Sequence, residues 1–118
     1  MASFEFVEWL LQWLFETERF LFQWDKANLS KNATKHKVQA FEVEEVFYSG
    51  SALPLGIQIR PVTIEQRLGI VGTTFSGRML QVVFTMRDGL IRPISARPAN
   101  RRERKQYEEL LRKIQERI

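Results

Sequence analysis

Between Met1 and Asp25, acids stand among large apolar side chains at a spacing that predicts a helix. Glu5, Glu8, Gln12 and Glu16 recur three and four residues apart as one polar stripe over 4–18. Phe6, Val7, Trp9, Leu10, Trp13 and Leu14 fill the wide apolar face beside it. Phe20, Phe22 and Trp24 then alternate with Leu21 and Gln23, as in a strand. Asp25 is placed to cap a helix over 26–36, which carries Leu29, Ala33 and His36 at helical spacing. A second helix over 40–48 turns Phe41, Val46 and Phe47 inward and Glu42, Glu44 and Glu45 mainly outward. From residue 52 the period changes to two, and 52–59, 65–72, 78–87 and 90–96 read as four strands. Pro61, Ser76-Gly77 and Asp88-Gly89 punctuate them, and Asp-Gly between alternating apolar runs is a strong hairpin signal. Pro93 cannot donate to a ladder, so the last strand lies at an edge or carries a bulge there. Beyond Asn100, the spacing of Tyr107, Leu110, Leu111 and Ile114 predicts a closing helix. The order predicts an α+β fold: an antiparallel sheet of about four strands with helices packed on it, preceded by an N-terminal amphipathic helix.

Composition narrows what such a fold can do. A chain of 118 residues supports one compact domain. It has no Cys, which removes disulfides, thiolate metal sites and thiol catalysis, and a single His, which makes a His-based zinc site a poor expectation. No metal or cofactor is therefore expected, and the missing Cys fits a reducing, cytoplasmic setting. The pI near 9.8 points to anionic partners. That charge is unevenly spread: residues 1–25 carry five acids against Arg19, whereas 26–118 carry 17 cations against nine acids. Eight of the 14 aromatics also lie between Met1 and Asp25. Acids interrupt this head too often for a signal peptide or a spanning helix, and its polar stripe is anionic where membrane-surface helices are basic. No membrane partner is expected. The aromatic face still needs cover, and three sources are open: the chain's own body, a second copy in a homodimer, or a basic site that the head masks as a lid.

Several short runs resemble a known family. Phe22-Gln23-Trp24-Asp25, then Asn32, then Lys35-His36, resembles the opening signature of the BrnT toxins. Gly77-Arg78-Met79-Leu80-Gln81-Val82-Val83-Phe84-Thr85 is similar to that family's central strand. Ile94-Ser95-Ala96-Arg97-Pro98-Ala99, followed by Arg101-Arg102-Glu103-Arg104 and Tyr107, resembles its closing signature. The resemblance divides the chain into an extension, 1–19, with no counterpart in the usual pattern, and a BrnT-like domain, 20–118. It implies a RelE-like ribonuclease toxin of a type II toxin–antitoxin pair, an endoribonuclease that needs no metal and blocks translation. The implied partners are RNA and a cognate antitoxin with a ribbon-helix-helix part. The chain departs from the pattern at Asn28, where Lys is usual, at Lys37, where Gly suits a left-handed helix cap, and at Pro93, where a β-former is usual.

Metal-free RNA cleavage requires activation of the 2′-hydroxyl, charge stabilisation at phosphorus and a proton for the leaving oxygen. His36 is the one side chain that titrates near neutrality, so it is the natural acid or base. Lys35 beside it binds phosphate or holds the His pKa down. Arg67 and Arg97 are candidates for a bidentate grip on phosphate. Glu65 falls on one face with Arg67 if both lie in a strand, as a base or as an ion-pair partner. Arg78, Arg101, Arg102, Arg104 and Lys105 are candidate RNA contacts, the last four crowding a helix start where cations oppose the macrodipole. Each has a plainer alternative: a capping His, a surface ion pair, a solvated helix face. A non-catalytic relative that keeps only antitoxin or nucleic-acid binding is the competing reading of the whole chain.

Overall fold

A computed structural model describes residues 2–116 and, within them, every side chain except those of Asn28, Asn32 and Thr34. The departure at Asn28 and the signature residue Asn32 therefore lie outside the described side chains. The elements run β1 (Ser3–Glu5), α1 (Glu8–Glu16), α2 (Lys26–Lys35), α3 (Ala40–Tyr48), β2 (Leu53–Arg60), β3 (Leu68–Thr73), β4 (Met79–Arg87), β5 (Leu90–Pro98) and α4 (Arg101–Glu116). The strands form one antiparallel meander in the order β1-β2-β3-β4-β5.

Alternation along β4 decides the two faces of the sheet. Leu80, Val82 and Phe84 point into a core completed by Leu10 and Leu14 of α1 and Val43, Val46 and Phe47 of α3. Gln81 and Val83 point the other way, where Gln81 reaches α4 and the Tyr107 hydroxyl donates to the Ser51 carbonyl at 2.7 Å. Phe47 is the hinge of an aromatic cluster, with ring centroids 5.2–5.5 Å from Phe20, Phe22 and Phe84. Edge-to-face pairs of this kind add to the burial of large rings.

The sheet has five strands rather than four, and the fifth comes from the span read as helix. The helical stripe holds only from Glu8, where Gln12 donates to Glu16 at 3.0 Å across one turn. Residues 3–5 instead pair with β2, and two glycines admit them. Gly56 sits at φ +128° beside a bulge, and a Cβ there would lie 1.9 Å from the Glu5 carbonyl oxygen. A Cβ on Gly69 would lie 2.6 Å from the Phe4 ring. The segment 20–24 is also not a strand. Its alternation correctly turns Phe20, Phe22 and Trp24 to the core, but it makes a single parallel bridge, from Phe22 to Ile91. Two backbone hydrogen bonds to Ile91 hold it, from the Gln23 N–H and to the Leu21 carbonyl, both at 2.8 Å, together with the Tyr48 hydroxyl, which accepts from the Phe20 N–H at 2.8 Å and donates to the Phe20 carbonyl at 2.7 Å. Phe41 is exposed, against expectation, because it opens α3 on the side away from the sheet-facing Val43, Val46 and Phe47.

Two local signals hold. Asp88 and Gly89 both take positive φ, as a two-residue hairpin with the twist of its strands requires. Pro93 lies on edge strand β5 at a bulge, where Ile94 is the extra residue between the Val83–Ser95 and Phe84–Pro93 pairs.

Candidate active site

Helix α2 runs alongside edge strand β5, and the two carry the chemistry at their ends. At the start, Asp25 forms an ion pair with Arg92. At the other end, His36 follows Lys35, and the charge of Arg97 on β5 acts on its imidazole. From Arg92 to Arg97 the strand spans roughly 15 Å, about the length of a ten-residue helix, so the two ends form separate sites. Lys35 closes the last turn of α2, where a cation complements the macrodipole.

The His36 end is a cluster of cations around one imidazole. His36 is half-buried, and burial holds its pKa below the usual 6.5; the charges of Lys35, then Arg97, then Lys31 push it the same way. The ring is thereby kept neutral near neutral pH, with a lone pair for a proton. Arg97 pairs in the ladder with Gln81 and donates through both terminal nitrogens to Glu103, Nη1 to Oε1 at 2.9 Å and Nη2 to Oε2 at 2.7 Å. Glu103 is buried and also accepts from Gln81 at 2.7 Å and from the Asn100 N–H at 3.0 Å, while Asn100 caps the Glu103 N–H at 2.8 Å. This is a capping box that starts α4. Its carboxylate offsets the cost of the cations crowded there. Arg101, Arg102, Arg104 and Lys105 are exposed around that start, with Arg104 also reaching the Ala99 carbonyl at 3.4 Å. Arg97 and Arg102 line one end of a groove of about 710 Å³, which Phe4, Phe6 and Leu110 line further along.

Three candidates fall elsewhere. Glu65 and Arg67 do not form a dyad, because β3 begins only at Leu68 and strand alternation does not reach them. Glu65 lies in the loop before β3 and pairs with Arg87, whose hydrogen bond holds its carboxyl below the usual carboxylate range. Arg67 stands next to Leu68, which pairs with Phe84, whereas Arg97 pairs with Gln81 further back along β4. Both therefore lie at the Arg92 end. Arg78 is occupied internally: Nη1 donates to the Lys37 carbonyl at 2.9 Å and to the Glu42 carboxylate at 3.1 Å, and Nη2 to the His36 carbonyl at 3.4 Å. It fastens the end of α2 to the start of α3 and thereby places His36, which is a structural task rather than an RNA contact. Lys37 takes φ +55°, the left-handed conformation expected of a Gly at this cap.

Glu103 is the residue that sequence reasoning misses. Its spacing from Asn100, Asn-x-x-Glu at the head of a periodic segment, is a legible capping signal. Its second use, holding Arg97, is not legible, because nothing in the spacing says that an arginine on the preceding strand folds back over the cap.

A family model described as "Ribonuclease toxin, BrnT, of type II toxin-antitoxin system" matches residues 24–103. Among solved structures, the crystal structure of the Brucella abortus ribonuclease toxin, BrnT, aligns with a TM-score of 0.51 at 22% identity, covering 70% of this chain and 100% of that one. That likeness shows the fold. No curated protein matches the chain. Among the described residues, no helix is long and apolar enough to cross a membrane.

Proposed function

The chain belongs to the BrnT family of ribonuclease toxins of type II toxin–antitoxin systems, and on that premise we propose that it cleaves RNA without a metal, using His36 and Arg97. The observation that carries this reading is the packing of α2, which ends at Lys35 just before His36, along β5, which carries Arg97, so that the charges of Lys35 and Arg97 both act on the imidazole. His36 takes the proton of a ribose 2′-hydroxyl. The 2′-oxygen then attacks the adjacent phosphorus, and the bond from phosphorus to the 5′-oxygen breaks. The proton passes from His36 to that leaving oxygen, giving a 2′,3′-cyclic phosphate and a 5′-hydroxyl. Arg97 stabilises charge on the phosphorane oxygens, and Lys35 contributes charge beside it. Arg101, Arg102, Arg104 and Lys105 track the flanking backbone, and Arg67 with Glu65 stands outside the reacting centre.

A supply of charge from arginine and lysine suits metal-free chemistry, since the neighbouring carboxylate, Glu103, is already paired. A cognate ribbon-helix-helix antitoxin neutralises the toxin in the cytoplasm, where cleavage of messenger RNA blocks translation. The exposed Phe6, Trp9 and Phe15 on and beside α1 give a homodimer contact, which light scattering over a concentration series tests.

The engagement of Arg97 by Glu103 favours one competing reading, a non-catalytic relative that binds RNA and leaves it whole. Incubating purified protein with RNA in excess EDTA separates the two. Cyclic-phosphate ends support the ribonuclease. Salt-dependent binding with intact RNA supports the alternative.

A further inference from the structure

Arg97 presents five N–H donors in a plane. Nη1 gives one to Glu103 Oε1 at 2.9 Å and one to the Pro98 carbonyl at 3.2 Å, and Nη2 gives one to Glu103 Oε2 at 2.7 Å. Among the described residues, none takes the Nε–H or the second Nη2–H. Those two lie side by side on one edge of the guanidinium, a second fork spaced for the oxygens of a phosphate. Glu103 has no such reserve. Oε1 accepts from Arg97 and the Asn100 N–H, and Oε2 accepts from Arg97 and Gln81, so the roughly four acceptor sites of a carboxylate are filled. Buried and saturated, it cannot take a proton from substrate. Nor can it turn away from Arg97 without abandoning the cap of α4.

We infer that Glu103 is a positioning residue that grips Arg97 end-on and sets its side-on edge, Nε–H and Nη2–H, as the phosphate fork. The inference rests on the reading of Arg97 as the phosphate ligand, and it changes what the Arg97–Glu103 pair means. The ion pair no longer blocks the arginine; it selects which edge is offered. Gln81 takes part at one remove, because its amide fixes the carboxylate that fixes the arginine.

The test combines a mutant cycle with a direct look at the fork. Arg97→Ala, Glu103→Gln and the double variant are assayed for kcat/KM on an RNA oligonucleotide, with circular dichroism confirming the fold. Glu103→Gln keeps an acceptor for the Asn100 N–H and is expected to lose roughly 10- to 100-fold, the loss that follows from misplacing a catalytic group. In the Arg97→Ala background the same change is expected to have no further effect, because Glu103 acts only through the arginine. A merely structural glutamate would lower activity by the same factor in both backgrounds. Gln81→Leu, which leaves the cap intact, supplies a second variant if Glu103→Gln folds poorly, and its expected loss also vanishes with Arg97→Ala. Full activity in Glu103→Gln, beside a wild type that depends on Arg97, overturns the inference and leaves the ribonuclease reading standing. A wild type that cuts nothing overturns that reading instead. The inference is then decided by nitrogen-15 NMR with an oligonucleotide carrying 2′-deoxy at the scissile position. The Arg97 Nε–H signal is expected to shift on binding in the wild type and not in Glu103→Gln; an unmoved signal in the wild type overturns it.

Discussion

Replacing Gly69 by Ala measures how firmly β1 is built into the sheet. A Cβ at this position would meet three atoms of the Phe4 ring, its nearest neighbours, at 2.6, 2.9 and 3.0 Å. The Gly69 backbone is in an ordinary region, so Ala itself is not strained. The ring must therefore move off the sheet. Full burial of an aromatic side chain is worth roughly 1.5–3 kcal/mol, and Phe4 is half-buried, so the loss is about 1–2 kcal/mol. Phe4→Ala alone is expected to cost about the same. In the Phe4→Ala background nothing obstructs the new methyl, and Gly69→Ala becomes neutral or stabilising by about 0.4–1 kcal/mol through the unfolded chain. The coupling between the two sites is thus about 1–3 kcal/mol, read from urea unfolding of the four proteins at a common m-value. Additive changes within about 0.5 kcal/mol would refute the packing of Phe4 on Gly69, and with it the five-stranded sheet.

Two further outcomes follow from the same structure. The one histidine gives a single imidazole C2–H resonance, and its NMR titration is expected to have a midpoint below 6.5; Lys35→Ala should raise it, since a repelling cation is gone. Because the folded pKa is depressed, the unfolded chain binds more protons, and the stability contributed by neutral His36 is lost as pH falls from 6.5 through the folded value. A midpoint at or above 6.5 contradicts the cation cluster. Lys37→Gly should stabilise the fold by about 0.5–1 kcal/mol, the net of relieving a left-handed non-glycine residue at φ +55° and freeing the unfolded chain. Thermal unfolding should show this as a rise of about 2–4 °C, and a fall would contradict the cap geometry.

How much of this was legible in the sequence depended on the range of the forces involved. Helix α3 and the Asp88-Gly89 hairpin follow from spacing and turn chemistry, which are local. Pro93 pointed to an edge or a bulge because its missing N–H is a local fact, and it lies at both. Strand β1 did not show, since so short a strand gives alternation no length to register. The glycines that admit it, Gly56 and Gly69, lie on β2 and β3, far along the chain. The Glu65–Arg67 dyad failed for a related reason. The alternation visible from Glu65 onward runs ahead of the true start of β3 at Leu68, and Arg87 on the hairpin takes the glutamate.

The candidate site was legible as chemistry but not as geometry. Lys35, His36 and Arg97 could be named because few side chains in this chain can hold phosphate or move a proton at neutral pH. Their meeting depends on α2 lying along β5, which is tertiary packing. Arg78 looked like another surface cation and proved to be the clasp at the end of α2, because an arginine's role is set by the carbonyls that happen to face it. The uneven charge of the chain meets in one place: Glu8 of the acidic N-terminal residues lines the same groove as Arg97 and Arg102.

The assignment of His36 and Arg97 is tested by kcat/KM for RNA cleavage in EDTA by the wild type, His36→Ala and Arg97→Ala, each confirmed folded. It predicts cleavage by the wild type, a loss of roughly 10²- to 10⁴-fold without the His36 base and of roughly 10²- to 10³-fold without the Arg97 fork. Undiminished cleavage by both folded variants would contradict it.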